Sequence, residues 1–149
     1  MAEVNLSAMD ATMKKAIQDM AFGEGASSDN DTVSMIVHSA LSRYLSGKEE
    51  FGGPSIADIV KKGYYAVSNP NTPYKQAISG KFPDIKSKAR YAEIGKLVDA
   101  ITGDKSYSKD KAQFYFTDKE IERLTKSKGF DFSKVKAKGS QGKYKLFGY

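Results

Sequence analysis

Cysteine and tryptophan are absent from this chain of 149 residues, and histidine occurs once, as His38. Without cysteine the protein forms no disulfide, binds no metal through thiolates and has no thiol nucleophile. Because His38 lies among Ile36, Val37 and Leu41 in a helical pattern, we expect an ordinary helix histidine and not a metal ligand or catalytic base. The sequence therefore predicts neither a metal site nor a cofactor.

Long hydrophobic runs are also missing. No stretch approaches the roughly 18 consecutive apolar residues that a membrane-spanning helix needs. The N-terminal segment MAEVNLSAMDATMKK lacks the basic start and the apolar run of a secretory signal. If the substrate lies outside the cytoplasm, we expect another agent to deliver the protein.

Positive charge is in excess, with 24 lysines and arginines against 18 aspartates and glutamates. The net charge of +6 favours a polyanionic partner such as an anionic cell envelope. Because no RNA- or DNA-reading signature accompanies the lysines, we expect no specific nucleic acid. Five lysines and no acidic residue occupy residues 134–149, where a solvated basic strand explains them equally well.

Hydrophobic residues make up 40% of the chain, enough for one core, so we predict a single domain over residues 1–149 with a loose N-terminus over 1–7. Apolar spacing predicts several helices, each with a polar cap at its start and glycine at its end. The first helix covers residues 8–22, capped by Ser7 and Asp10 and ended by Gly23 and Gly25. The second runs from Asp29 and Asp31 to Gly47. A short third helix runs from Ser55 to Gly63, and a fourth covers residues 86–102.

Residues 64–84 contain three of the four prolines, and we predict an irregular loop there. The segments 112–117 and 142–149 have β propensity, and Thr117 with Glu120 forms a capping box. The predicted fold is therefore α+β, mainly helical with a small antiparallel sheet.

Glu24 stands between two glycines at the predicted end of the first helix. The negative end of the helix dipole disfavours an ionised carboxylate there, and the apolar neighbours Phe22 and Ala26 add desolvation. Both effects raise the pKa of Glu24, as a proton donor near neutral pH requires. The flanking glycines would let the backbone turn sharply and a bulky substrate come close. A surface glutamate in a helix-ending turn is the alternative interpretation.

The segment GEGASSDNDTVSMIVHSALSRY, residues 23–44, resembles the opening of the SleB-type cell-wall hydrolases. Their pattern is roughly G-E-A-R-G-E, a turn, an apolar helix and N-R. Gly23 and Glu24 match the first pair, and Arg43 matches the final arginine at the same separation. Three further segments resemble later parts of the family: IADIVKKGYYAV (56–67), AQFYF (112–116) and GKYKLFGY (142–149).

The chain departs from the family pattern at three positions. Ser28 replaces the second glutamate, Ser42 replaces the asparagine at the end of the helix, and Tyr144 replaces a C-terminal histidine. These changes affect the expected substrate contacts more than they affect Glu24.

The resemblance implies a lysozyme-like fold and a lytic transglycosylase that cleaves the β-1,4 bond between N-acetylmuramic acid and N-acetylglucosamine. Glu24 would act as the catalytic acid and then as the base, at the floor of a sugar-binding groove. The implied partners are peptidoglycan glycan strands, the anionic envelope and, for a virion component, other virion proteins. We expect a monomer that acts as a phage endolysin or as a virion-associated murein hydrolase.

Aromatic side chains suit the walls of a glycan groove. The family positions indicate Tyr64, Tyr65, Phe114, Tyr115 and Phe116. Since neighbouring residues of a strand face opposite ways, we place Tyr115 in the groove and Phe114 and Phe116 in the core. We also expect Ser42 and Arg43 to contact substrate, although Arg43 could equally hold the fold together by pairing with a carboxylate or with helix carbonyls.

Three alternatives remain open. A hydrolytic muramidase would need a second carboxylate facing Glu24. The candidates, Asp29, Asp31, Glu49 and Glu50, are explained equally well as helix caps or loop charges. The chain could also be a non-catalytic murein-binding module, or a structural virion protein that kept the fold and lost activity.

Overall fold

A computed structural model of the chain describes residues 3–4, 6, 9–103, 107–108 and 111–149. Within these residues the helices are α1 (Ala11–Gly25), α2 (Asn30–Ser46), α3 (Ile56–Gly63), α4 (Tyr65–Ser68), α5 (Thr72–Ser79), α6 (Ile85–Thr102) and α7 (Asp118–Ser127). The strands are β1 (Glu3–Val4), β2 (Tyr107–Ser108), β3 (Phe114–Thr117), β4 (Lys136–Gln141) and β5 (Tyr144–Gly148). Single turns of 3-10 helix cover Glu49–Phe51 and Phe132–Lys134.

The architecture is α+β and mainly helical, with a small antiparallel sheet in the order β3-β5-β4, which confirms the predicted fold class. A separate two-stranded ladder pairs β1 with β2. Most of the expected loose N-terminus, and the capping residue Ser7, lie outside the described residues. None of the described helices combines the length and the apolar character of a membrane span.

Local signals account for most helix boundaries. The side chain of Asp29 accepts the amide hydrogen of Thr32 at 2.8 Å and starts α2, and Gly47 ends α2 in the left-handed region at φ 65°. Both elements of the Thr117–Glu120 capping box are formed at the start of α7. The predicted start and end of α2 and the predicted capping box of α7 are therefore confirmed.

Two predictions about the α1 to α5 region are wrong. Helix α1 continues through Gly23 to Gly25 and does not end at residue 22. Residues 64–84 are not an irregular loop, because they contain α4 and α5. Pro73 occupies the first turn of α5, where it costs no hydrogen bond, and the Asn71 side chain caps that helix by accepting the Tyr74 amide hydrogen at 2.9 Å.

One hydrophobic cluster, built mainly from α1, α2, α3 and α6, forms the core. Three sheet residues, Tyr115, Tyr144 and Leu146, pack against it, so one face of the sheet covers the helices. We expected the phenylalanines of β3 in this core, but they lie outside it. Strand alternation directs their side chains to the face opposite that of Tyr115. There they form a separate aromatic cluster of Phe114, Phe116, Phe130, Phe132 and Phe147.

Candidate functional site

Glu24 lies in the last turn of α1 and is half-buried. Its carboxylate atom Oε1 accepts a hydrogen bond from the Tyr115 hydroxyl at 3.4 Å, and the backbone N–H of Ala66 also donates to the carboxylate. The strand β3 and the start of α4 therefore meet at the end of α1. The residue as a whole is neither fully buried nor fully exposed.

The surroundings of Glu24 raise its pKa above the ordinary value of 4.5. Loss of solvation through burial is the largest cause, and the nearby Glu120 carboxylate acts in the same direction. The Ala66 N–H, the Tyr115 hydroxyl and the Arg43 guanidinium lower the pKa and offset part of this effect. A carboxyl group in this position holds its proton to a higher pH than an exposed glutamate does.

The glycines beside Glu24 allow close helix packing and not the sharp turn that the sequence suggested. A Cβ on Gly23 would lie 2.9 Å from the Cβ of Tyr74 and 3.1 Å from that of Ala66. The carbonyl of Gly23 also accepts a hydrogen bond from the Asn71 side chain at 2.8 Å. Because α4 and α5 pack directly on this backbone, the Ala66 amide reaches the Glu24 carboxylate.

A buried layer lies behind the carboxylate. Tyr64 is 1% exposed, and its hydroxyl forms a hydrogen bond with Oγ of Ser39 at 2.6 Å. The Arg43 guanidinium packs over the ring of Tyr64 at 4.9 Å and donates from Nε to the carbonyl of Gln113 at 2.8 Å. This layer fixes the strand that carries Tyr115 against α2.

Three predicted substrate contacts are wrong for this reason. Ser42 and Tyr64 are each 1% exposed, so neither reaches a ligand at the surface. Ser42 instead donates from its hydroxyl to the carbonyl of Lys111 at 2.7 Å. Arg43 is 8% exposed, and its guanidinium donates to the carbonyls of Gly63 at the end of α3 and of Gln113 before β3.

Tyr65, unlike Tyr64, has an exposed side chain. Its side chain is 73% exposed, and its hydroxyl accepts a hydrogen bond from the Asn69 side chain at 2.6 Å. It directly precedes Ala66, whose amide contacts Glu24. Tyr65 therefore remains a predicted substrate contact at the rim of the site.

The carboxylate of Glu120 raises the pKa of Glu24 through its charge, and it is thus a candidate second carboxylate. The sequence did not indicate it. Oε1 of Glu120 accepts from the amide and the hydroxyl of Thr117, each at 3.0 Å, so this carboxylate serves as a helix cap. Of the four predicted candidates, Asp29 caps α2 and Glu50 accepts from the Tyr149 hydroxyl at 2.8 Å.

Arg90 of α6 fixes the turn that follows Glu24. Its guanidinium donates to the carbonyls of Ala26 at 3.0 Å and Ser28 at 2.7 Å, and to Oδ1 of Asn30 at 2.5 Å. It also forms an ion pair with Glu93. No local pattern in the sequence reveals this role, because Arg90 lies more than 60 residues from its carbonyl partners.

Glu24 is not among the lining residues of four concavities on the described part of the surface. One of them, of about 590 Å³, is lined by Leu146, the residue directly opposite Tyr115 on β5. The groove that the sequence predicted at Glu24 is not among these four concavities. Comparisons with protein-family models, with curated proteins and with solved structures found no match.

Proposed function

We propose that this protein cleaves the β-1,4 glycosidic bond between N-acetylmuramic acid and N-acetylglucosamine in peptidoglycan, as a lytic transglycosylase. The observation that carries the proposal is the environment of Glu24: a half-buried carboxyl group with a raised pKa, held by the Tyr115 hydroxyl and the Ala66 amide. The resemblance of residues 23–44 to SleB-type hydrolases supplies the substrate class and an expected lysozyme-like fold.

The reaction uses one carboxyl group twice. Glu24 donates its proton to the glycosidic oxygen as the bond from that oxygen to C1 of the muramic acid breaks. The C6 hydroxyl of the same sugar then attacks C1, and its proton passes to the Glu24 carboxylate. The products are a 1,6-anhydro sugar and a free hydroxyl on the leaving chain, and the acid is regenerated without consumption of water.

The hydrogen bonds of two candidate second carboxylates favour this scheme over ordinary hydrolysis. Hydrolysis by two carboxylates needs the second group free to act as a nucleophile or a base. Glu120 is engaged by Thr117, and Asp29 by Thr32. A transglycosylase places no such demand on a second carboxylate.

Digestion of purified murein followed by mass spectrometry tests the proposal. We expect anhydro-muropeptides from the wild type and at least 100-fold less product from Glu24→Gln, since the loss of a general acid costs about 10² to 10⁴ in rate. Glu122→Gln is the matched control, because Glu122 is exposed and pairs with Lys126 on the same helix, α7. Its activity should equal that of the wild type.

Three outcomes contradict the proposal in different ways. Products with reducing ends indicate a hydrolase, and Glu120 then becomes the candidate second carboxylate. Equal activity of Glu24→Gln and the wild type removes Glu24 from the chemistry. A folded wild type that releases no fragments is a binding or structural protein.

The biological setting that we propose is a bacteriophage lytic system, in which the protein is an endolysin or a virion component. Immunodetection in purified particles distinguishes the two. Its presence in particles supports the virion protein, and its absence supports the endolysin.

A further inference from the structure

A cleft of about 590 Å³ lies between α2 and the hairpin of β4 and β5. Its apolar part comes from Met35 and Leu146, and polar side chains converge on it from both sides. They are Asp31, Ser34 and His38 from α2, Lys111 before β3, and Lys138, Ser140 and Gln141 from β4. The volume falls in the range of small-ligand sites, and the lining is more polar than that of most such sites.

A β-bulge directs Lys138 to this cleft. Ala137 pairs with Phe147 and Gly139 pairs with Leu146, so Lys138 is the extra residue of β4. Gly139 has φ 119°, a conformation that only glycine adopts readily. The stem of Lys138 consequently lies along Gly148, where an added Cβ would be 3.2 Å from its Cε.

Opposite charges occupy different positions along the cleft. Lys111 acts electrostatically on His38, and both Lys111 and Lys138 line the cleft. Asp31 lies seven residues before His38, which corresponds to roughly 10 Å along α2. His38 adds no charge at neutral pH, because burial and the Lys111 ammonium lower its pKa to about 4.

The cleft adjoins the Glu24 site through one cross-strand pair. Leu146, which lines the cleft, is directly opposite Tyr115, which donates to Glu24. Side chains in such a pair have Cβ atoms about 5 Å apart. Tyr144 on the same face contacts the Tyr115 ring with centroids 5.5 Å apart.

We propose that this cleft binds a short peptide through a carboxylate placed between Lys111 and Lys138 and an ammonium group placed against Asp31, with the peptide body over Met35 and Leu146. A peptide fits better than a phosphate group, because Asp31 would repel a dianion and the apolar floor would have no partner. The identity of the peptide rests on the proposed function: if the protein cleaves peptidoglycan, the peptide is the peptide stem of peptidoglycan.

The single histidine makes the test direct. We would titrate the full-length protein with the tripeptide Ala-γ-D-Glu-Lys and follow the one His38 ring signal by NMR. We expect a saturable shift, and about tenfold weaker binding for Lys138→Ala, since a lost charge-assisted contact costs about 1.4 kcal/mol. Lys136→Ala is the matched control: Lys136 is an exposed lysine of the same strand outside the cleft, and it should bind like the wild type.

Further probes decide the ligand class. The N-acetylated and amidated form of the tripeptide should bind at least tenfold more weakly, and Asp31→Asn should remove the effect of blocking the amines. Binding of the blocked peptide as tightly as the free one overturns the proposal. So does a His38 shift with inorganic phosphate but none with the tripeptide.

The variant Glu24→Gln separates this inference from the proposed function. We expect it to bind the tripeptide like the wild type while it loses murein cleavage. If the wild type cleaves murein but shows no tripeptide-induced shift, the proposed peptide site is wrong and the proposed enzymatic function stands. If the wild type binds the tripeptide in a charge-dependent manner but does not cleave murein, the proposed peptide site is supported and the proposed enzymatic function is rejected.

Discussion

The hydroxyl of Tyr115 on β3 donates to Oε1 of Glu24 on α1 at 3.4 Å, across 91 residues of the chain. Burial raises the pKa of Tyr115 well above its usual value, so the phenol keeps its proton and acts as a donor at neutral pH. The sheet thereby contributes a fixed hydrogen-bond donor to a carboxyl group that the helices have partly desolvated. The two effects oppose each other in setting the pKa of Glu24.

Replacement of Tyr115 by phenylalanine tests this relationship. The loss of the donor should raise the pKa of Glu24 further, because a hydrogen bond to the carboxylate no longer favours ionisation. We expect the alkaline limb of the activity profile to move to higher pH and kcat to fall about tenfold. The measurement is kcat as a function of pH on murein.

Tyr144→Phe is the control for Tyr115→Phe, since it removes a hydroxyl from the ring that packs edge-on against Tyr115. Its pH profile should match that of the wild type. Equal shifts in both variants, or a shift of the alkaline limb to lower pH for Tyr115→Phe, contradict the assigned role of the hydroxyl.

Glu24 should reduce stability at neutral pH. Its pKa in the folded state lies above 4.5, so between 4.5 and the raised value the native protein binds more protons than the unfolded chain. The free energy of unfolding therefore decreases as pH rises through this window. We expect Glu24→Gln to unfold at higher urea concentration than the wild type at pH 7, with the difference vanishing below pH 4. The opposite order at pH 7 would refute the desolvation argument.

Sequence signals predicted those parts of the fold that depend on local interactions. Helix α2 has its cap at Asp29, its apolar stripe and its terminal Gly47 within one segment, and each was identified. The prediction was wrong at Gly23 and Pro73, because glycine does not always end a helix and proline does not always prevent one. Glycine in α1 makes room for Tyr74 of another helix, and proline in the first turn of α5 starts a helix without breaking it.

The candidate site was predictable only where one residue carries the signal. Glu24 stands out because of its flanking glycines, and Tyr115 because of strand alternation. Ser42 and Tyr64 were misassigned, because residue type does not distinguish a buried hydroxyl with a partner from an exposed one that binds substrate. Glu120 is close to Glu24 only through the tertiary fold, so no sequence spacing could indicate it.

The two glycines of α1 should differ in their tolerance of a methyl group. In Gly23→Ala the new Cβ meets the Cβ atoms of Tyr74 and Ala66, which are rigidly attached to backbone. In Gly25→Ala it meets Cδ1 of Ile36 at 2.9 Å, the far end of a flexible side chain. We expect a loss of about 2 kcal/mol for the first and under about 1 kcal/mol for the second in urea unfolding. A reversed order would show that α5 moves away freely.

Arg43 should not be replaceable by lysine. Its guanidinium makes directed hydrogen bonds to Gln113 and Gly63 and packs over three rings, those of Phe51, Tyr64 and Phe114, at 4.9 to 5.3 Å. Lysine keeps the charge but loses the planar donors, so we expect Arg43→Lys to cost about 2 to 4 kcal/mol in urea unfolding. The exposed Arg123 provides the control, and Arg123→Lys should change stability by under about 0.5 kcal/mol.

His38 should make the protein sensitive to mild acid. Its Nδ1 is hydrogen-bonded with the Tyr107 hydroxyl, and burial lowers its pKa from 6.5 to about 4. Between these values the unfolded chain binds the extra proton, so stability rises with pH across the window and is lost on acidification, by up to about 3 kcal/mol. His38→Gln keeps a hydrogen-bonding side chain but does not titrate. Urea unfolding at pH 7, 6, 5 and 4 should therefore give a shallower pH dependence for His38→Gln, and parallel curves would mean that other groups cause the acid sensitivity.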